Sequence, residues 1–145
     1  MTDEVRITRL LAAPRELVFA AWIDPRQVAS WWAPPGFEVP PATVEIDARV
    51  GGRIHFAMVA LGGGAQYAVR FEILELSEPE LLVLRSEAMP AVGLALPTIT
   101  RVVLGEEGDR TRLTVTQGPH TEAMLPQALA GWAGCLDNLA ALVAA

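Results

Sequence analysis

The segment PQALAGWAGCLDNLAALVAA, residues 126–145, decides the fold expected for this 145-residue chain. Apolar side chains recur in and just before it at steps of three or four, which places them on one face of an α-helix. That face holds Met124, Ala128, Trp132, Cys135, Leu139 and Leu142. Because proline is tolerated only in the first turn of a helix, we expect the helix to begin at Pro126, after a turn at residues 121–125.

The centre of the chain is typical of consecutive antiparallel strands. In residues 53–60, Ile54, Phe56 and Met58 alternate with more polar neighbours, as in a strand with one buried face. Similar patterns predict strands at 5–11, 39–48, 67–73, 82–87, 98–104 and 110–117, with turns such as Gly51-Gly52 and a hairpin tip at 62–64. A sheet of this kind must cover its apolar face, and only the C-terminal helix is long enough to do so.

Two short helices are expected between the first strand and the rest of the sheet. Residues 14–22 have amphipathic spacing, and Pro14 suits the first helical position. Asp24-Pro25 ends that helix and starts another, with Asp24 as the N-cap, and the second helix ends near Trp32. The elements predict an α+β fold in one domain spanning residues 1–145.

Composition and charge exclude several classes of protein. Apolar residues make up 52 %, charged residues 19 % and the mean hydropathy is +0.33. Uninterrupted runs of apolar or glycine residues, such as Ala128 to Leu136, are far shorter than the roughly 20 residues of a membrane-spanning helix. The net charge of −6 argues against binding to nucleic acid or to an anionic membrane surface. A ligand cavity is one explanation for the surplus of apolar residues.

A cytoplasmic location is expected from the cysteine content and the N-terminus. The single cysteine, Cys135, excludes an internal disulfide, and the opening residues MTDEVRITRL lack the apolar region of a signal peptide. No His, Cys, Asp or Glu residues have the spacing of metal ligands, and the glycine run at 62–64 lacks the features of a phosphate-binding loop. We therefore expect neither a metal nor a cofactor.

Several motifs, taken in order, resemble those of the START-like superfamily, also called SRPBCC or helix-grip. The most similar family is the activator of heat-shock-protein-90 ATPase homologue-like domain family. The motifs are APRELVFAAW at 13–22 with Asp24-Pro25, Trp31-Trp32 with Pro34 and Gly36-Phe37, Gly51-Gly52-Arg53, TRLTVTQ at 111–117, and Gly131-Trp132 followed by LDNL at 136–139. The resemblance implies a helix-grip fold, in which a curved antiparallel sheet of six to seven strands wraps around the long C-terminal helix. It also implies a cavity for an apolar or aromatic small molecule, and it supplies no shared catalytic residues.

The candidate ligand-binding residues are those expected on the inner face of the sheet and helix. They are Trp32, Phe56, Met58, Tyr67, Val69, Phe71, Leu84, Ser86, Thr100, Gln117, Trp132 and Cys135. Polar members of this set, such as Gln117, need partners once buried, and protein groups, water or a ligand can supply them. Core packing is the alternative role for the tryptophans, and close packing against the sheet is the alternative to a ligand space at Gly131.

Three functions remain open from the sequence. The first is a binding protein for a small apolar or aromatic molecule. The second is an enzyme such as a cyclase or aromatase acting on a polyketide-like substrate, which would need an inward acid or base. The strand phasing predicts no inward Asp, Glu or His, with His55 facing solvent and His120 in the turn before the last helix, so a role without catalysis is favoured. The third is a homodimer or client-binding protein that uses the apolar loop 88–97, which is alternatively a lid over the cavity.

Overall fold

The computed structural model describes residues 2–92 and 94–144, with the side chains of all of these except Thr2 and Val92. The strands are β1 (Thr2–Leu11), β2 (Phe37–Glu38), β3 (Glu45–Asp47), β4 (Arg53–Ala60), β5 (Gln66–Ser77), β6 (Leu81–Ser86), β7 (Thr98–Glu107) and β8 (Arg110–Thr121). The helices are α1 (Arg15–Ile23), α2 (Pro25–Trp31) and α3 (Leu125–Ala144). Single turns of 3-10 helix lie at Pro41–Thr43 and Pro90–Val92.

The sheet is antiparallel throughout its described pairs. Its order is β1-β8-β7-β6-β5-β4-β2, and β3 pairs with β4 as well. The strands from β4 to β8 follow one another as a meander, whereas β1 crosses over to pair with the last strand. The expected α+β helix-grip architecture is confirmed: a curved sheet, two short helices after the first strand, and a long C-terminal helix.

The starts of α2 and α3 follow from their first residues. The side chain of Asp24 accepts a hydrogen bond from the Arg26 amide at 3.0 Å, and Pro25 begins α2, as the sequence predicts. Helix α3 begins at Leu125, one residue earlier than expected. Pro126 therefore occupies the first turn, where an amide hydrogen has no partner within the helix. The Thr121 hydroxyl accepts from the Met124 amide at 3.3 Å and closes the turn before α3.

Helix α3 is fixed to the chain that follows α2. An added Cβ at Gly134 would lie 2.7 Å from the Pro35 ring, so the close approach of these segments requires glycine there. One turn further along, the Asn138 amide donates to the carbonyl oxygens of Trp31 at 3.3 Å and Ala33 at 3.4 Å. These contacts hold α3 against the Pro34-Pro35 segment at the edge of the space between helix and sheet.

One predicted strand is wrong. Residues 39–48 do not form a continuous strand, because Pro40 and Pro41 interrupt it and proline has no amide hydrogen for a sheet ladder. The chain makes a 3-10 turn there instead, and only β2 and β3 on either side pair with β4. Thr43 stabilises the turn, since its hydroxyl donates to the Pro40 carbonyl at 2.7 Å and accepts from the Ala57 amide at 3.2 Å.

No described helix combines the length and the apolar character needed to cross a membrane.

Candidate ligand cavity

A cavity of about 650 Å³ lies between the inner face of the sheet and helix α3. Strands β4 to β8 supply one wall and the inner face of α3 supplies the opposite wall, with Trp32 and the Pro34-Pro35 segment beside them. Residues 89, 91 and 94 of the loop between β6 and β7 complete the lining. The fold thus leaves unfilled space where most single domains pack side chains.

One wall of the cavity is aromatic. The ring of Trp32 lies 5.3 Å from that of Phe71 in a stacked arrangement and 5.4 Å from that of Phe56. Trp132 approaches from α3, with its ring centroid 6.0 Å from that of Trp32. Behind them, Trp31 is fully buried and donates its indole N–H to the Ala21 carbonyl at 2.7 Å. Of the adjacent tryptophans, Trp31 therefore lies wholly within the core, whereas Trp32 belongs to the core and also lines the cavity.

The structure brings most of the predicted site residues together in the lining. Those that line the cavity are Trp32, Phe56, Met58, Tyr67, Val69, Phe71, Ser86, Gln117, Trp132 and Cys135. Leu84 and Thr100 do not line it, and both are fully buried. They are paired neighbours in one row across β6 and β7, and this row lies within the core.

The strand pattern missed several lining residues. Thr98 is the clearest case: it is buried and lines the cavity, and it lies two positions before Thr100 on the same face of β7. Period-two alternation was sufficient to find it. The remaining lining residues outside the candidate set lie in the two-residue strand β2, in loops and in α3: Pro34, Pro35, Phe37, Met89, Ala91, Leu94, Met124, Gln127, Ala128, Ala130 and Gly131. Strand phase carries no information about such residues.

Gln117 is the centre of a buried hydrogen-bond network. Its Oε1 accepts from the Trp132 indole N–H at 3.0 Å and lies 2.9 Å from His120 Nε2, while its Nε2 donates to Thr100 Oγ1 at 2.8 Å. An indole nitrogen can only donate, so the atom facing Trp132 must be the amide oxygen. The same oxygen must then accept from His120, which places a proton on Nε2 of that imidazole. Both lone pairs of Oε1 are used, and one N–H of the amide remains.

His120 corrects two expectations. It lies in β8 and not in a turn, and it is buried against Gln117. The reason is a bulge: Asp3 and Val5 of β1, two residues apart, pair with His120 and Gln117, which are three apart. The extra residue in β8 reverses the alternation. An added Cβ at Gly118 would lie 2.7 Å from the Glu4 Cβ, so the bulge needs glycine. His120 is not among the lining residues, and burial lowers the pKa of its imidazole.

The described lining is uncharged. It contains no Asp, Glu, Lys, Arg or His side chain. Burial raises the pKa of the Cys135 thiol to about 12, so this group is a neutral thiol at pH 7. Within the described part of the chain, no group of three or more His, Cys, Asp or Glu residues is placed to hold a metal ion. The cavity therefore offers aromatic surface and a few neutral polar groups.

Gly131 lines the cavity and has room for a side chain. The nearest atom to an added Cβ is the Pro34 Cβ at 3.8 Å, an ordinary van der Waals distance. The alternative of close packing against the sheet is wrong for this residue, and Gly134 is the glycine that close packing requires. The missing side chain at Gly131 instead leaves space in the cavity.

The comparison that decides the family covers most of the chain. Residues 12–144 match the family described as Activator of Hsp90 ATPase homolog 1-like protein. The chain belongs to this family. Membership confirms the resemblance carried by the sequence motifs, and the fold of this family commonly binds hydrophobic ligands.

Solved structures of similar proteins share the fold of this family member. A Chromobacterium violaceum protein is 30 % identical, with 97 % of each chain covered and a TM-score of 0.83. A Mycobacterium smegmatis protein is 25 % identical, with 97 % of this chain and 90 % of that chain covered and a TM-score of 0.76. An AHSA1-like protein from Aeromonas hydrophila is 24 % identical, with 98 % and 92 % covered and a TM-score of 0.80. Among curated proteins, none matches the chain.

Proposed function

We propose that this protein binds a small apolar or aromatic molecule in the cavity between the sheet and helix α3. The observation that carries the proposal is the cavity of about 650 Å³, with an aromatic wall and a few inward polar groups. Small-molecule sites in proteins are concave, mostly apolar, and of about 300–1,000 Å³, with a small number of polar groups that orient the ligand. We also propose a cytoplasmic location, in keeping with the single cysteine of the chain.

Binding without catalysis is the version that the lining supports. General acid–base catalysis needs a titratable group within hydrogen-bond reach of the substrate. Tyr67 and Cys135 are the titratable groups of the described lining, and the raised pKa of Cys135 makes it a poor nucleophile at pH 7. His120 does not line the cavity, and its imidazole N–H is used in a hydrogen bond to Gln117.

The loop at 88–97 supports the same proposal. Met89 and Leu94 bridge each other through two backbone hydrogen bonds of 2.7 and 3.1 Å, and both line the cavity. The apolar side chains of both residues thus contribute to the cavity of a single molecule. A homodimer or client-binding surface here would compete with this inward placement, so we propose the loop as a cavity wall.

The test is titration with Nile red, a neutral aromatic dye whose fluorescence rises in apolar surroundings. We expect saturable binding to the purified protein and competition by small apolar molecules. Gly131→Leu should fill part of the cavity and weaken dye binding at least fivefold. The matched control is Gly63→Leu at the hairpin tip, where an added Cβ meets nothing within 4 Å. Equal dye binding by the two variants, or no binding by the wild type to any of a panel of apolar dyes, would overturn the proposal.

A further inference from the structure

The unused hydrogen-bonding capacity of the cavity restricts the chemistry of its ligand. Ser86 donates its hydroxyl hydrogen to the Glu87 carbonyl at 2.9 Å. The Gln117 oxygen is occupied by Trp132 and His120, which leaves one amide N–H free. The Thr98 hydroxyl and the Trp32 indole N–H make no hydrogen bond with any described residue. Two of these unused groups, the Gln117 N–H and the Trp32 N–H, can only donate, whereas the Thr98 hydroxyl can donate as well as accept.

Of the unused hydrogen-bonding groups, the Thr98 hydroxyl is the one that we expect a ligand to contact. It is 4 % exposed and lines the cavity, and buried hydroxyl groups in proteins are normally hydrogen-bonded. None of the described protein groups supplies that partner, so water or a ligand in the cavity must supply it. A ligand oxygen that accepts a hydrogen bond would satisfy Thr98 and could also take the free N–H of Gln117.

The position of Thr98 relative to the aromatic wall sets the size of the ligand. Phe71 pairs with Ser86 across β5 and β6, and Ser86 pairs with Thr98 across β6 and β7. The three side chains form one row on the inner face, so Phe71 and Thr98 are two strand spacings apart, about 10 Å. A molecule with two fused rings against Phe71 and Trp32 can place an oxygen substituent near Thr98.

The absence of charge in the described lining restricts the ligand further. An ionised group enters such a cavity only with a compensating partner, because the loss of hydration strongly disfavours an unpaired buried charge. No described lining residue carries a charge of either sign. A carboxylate ligand would find no cation, and an ammonium ligand would find aromatic faces but no anion.

We infer that the cavity selects an uncharged, flat aromatic ligand that carries a carbonyl oxygen, with its rings against Trp32 and Phe71 and its oxygen accepting from Thr98. This inference rests on the proposed function, since it assumes that the cavity takes a ligand. It adds a ligand class and a residue that determines specificity.

The experiment compares four probes of similar size by displacement of Nile red: 2-acetylnaphthalene, 2-isopropylnaphthalene, 2-naphthoate and the 2-naphthylmethylammonium cation. We expect the ketone to bind most tightly and each ion to bind at least tenfold more weakly than the ketone. Thr98→Val keeps the shape of the side chain and removes the hydroxyl. It should weaken ketone binding by about three- to tenfold, the usual effect of one neutral hydrogen bond, and should leave the hydrocarbon unaffected.

Thr116→Val on the outer face of β8 is the matched control, because Thr116 is half-buried and does not line the cavity. Binding of either ion as tight as that of the ketone, or an equal loss for ketone and hydrocarbon in Thr98→Val, would overturn the inference and leave the proposed function intact. If none of the four probes displaces the dye, the ligand class is wrong. If the dye itself and all other apolar dyes fail to bind, the proposed function is wrong.

Discussion

Trp132 of helix α3 donates its indole N–H to the side-chain oxygen of Gln117 on strand β8 at 3.0 Å. This bond joins the two walls of the cavity, because Trp132 belongs to the helix wall and Gln117 to the sheet wall. The same oxygen accepts from His120, and the amide nitrogen donates to Thr100. One side chain therefore holds groups from β7, β8 and α3 together, at a place where a ligand can contact it.

Replacement of Gln117 by leucine is expected to lower the free energy of unfolding by about 2–4 kcal/mol. The change leaves the Trp132 N–H and the His120 N–H without an acceptor, and each buried group without a partner costs about 1–3 kcal/mol. Urea denaturation followed by tryptophan fluorescence measures the change. Gln66→Leu, at an exposed position at the start of β5, is the control and should be within about 0.5 kcal/mol of the wild type. Equal stabilities of the two variants would show that the network contributes nothing.

The folded protein is expected to become less stable as the pH falls below about 6.5, and His120 is expected to cause most of this loss. Burial lowers the pKa of this imidazole in the folded protein below the ordinary histidine value of 6.5. As the pH drops below 6.5, the unfolded chain therefore binds more protons than the folded protein does. Since stability rises with pH wherever the unfolded state binds more protons, it is lost on acidification below that value. The measurement is urea denaturation between pH 7.5 and 5.

His120→Gln should flatten that pH profile even if it lowers stability at pH 7. Burial, followed by the charge of Arg53, also lowers the pKa of His55, so His55→Gln is needed as the second variant. His55 is only half-buried and should account for the smaller part of the slope. A slope unchanged in His120→Gln and abolished in His55→Gln would contradict this assignment.

Replacement of Gly131 by alanine is expected to raise the stability of the protein, whereas replacement of Gly134 by alanine is expected to lower it. Gly131→Ala places a methyl group at 3.8 Å from Pro34, and alanine is favoured over glycine in a helix by about 1 kcal/mol. Gly134→Ala places a methyl group 2.7 Å from the Pro35 ring, and relief of such overpacking typically costs about 1–3 kcal/mol. Thermal unfolding of both variants measures the difference. A higher melting temperature for Gly134→Ala than for Gly131→Ala would refute the distinction.

Cys135 is expected to react slowly with thiol reagents in the folded protein. It is buried, its pKa is about 12, and the thiolate is the reactive form. Labelling by dithionitrobenzoate at pH 7.5 should be at least a hundredfold slower than in 6 M guanidinium chloride, and a bound ligand should slow it further because Cys135 lines the cavity. The control is the double variant Cys135→Ser, Ser30→Cys, whose single thiol lies at an exposed position. It should react quickly with or without ligand.

The strand pattern predicted the sheet wall of the cavity better than any other part. Alternation is regular in β5 from Val69 to Ile73, in β7 from Thr98 to Leu104 and in β8 from Thr111 to Gln117, so one period places the inward side chains on the same face. It failed at His120, because the bulge at Gly118 depends on pairing with β1, and pairing is not encoded within β8 alone. It also failed at residues 39–48, where Pro40 and Pro41 prevent a continuous strand although their neighbours are apolar. Residues such as Leu94 line the cavity only through the path of a loop.

Leu94→Asp distinguishes the two roles considered for loop 88–97. As part of the cavity wall, Leu94 contributes apolar surface to the ligand space, and an unpaired carboxylate there should weaken Nile red binding by tenfold or more. Light scattering should give the mass of a monomer, with 15.5 kDa per chain, for both the wild type and the variant. Leu61→Asp, at an exposed position of the β4–β5 hairpin, is the control and should bind dye normally. A wild type that is dimeric and becomes monomeric in Leu94→Asp, with dye affinity unchanged, would make the loop an interface and remove it from the cavity wall.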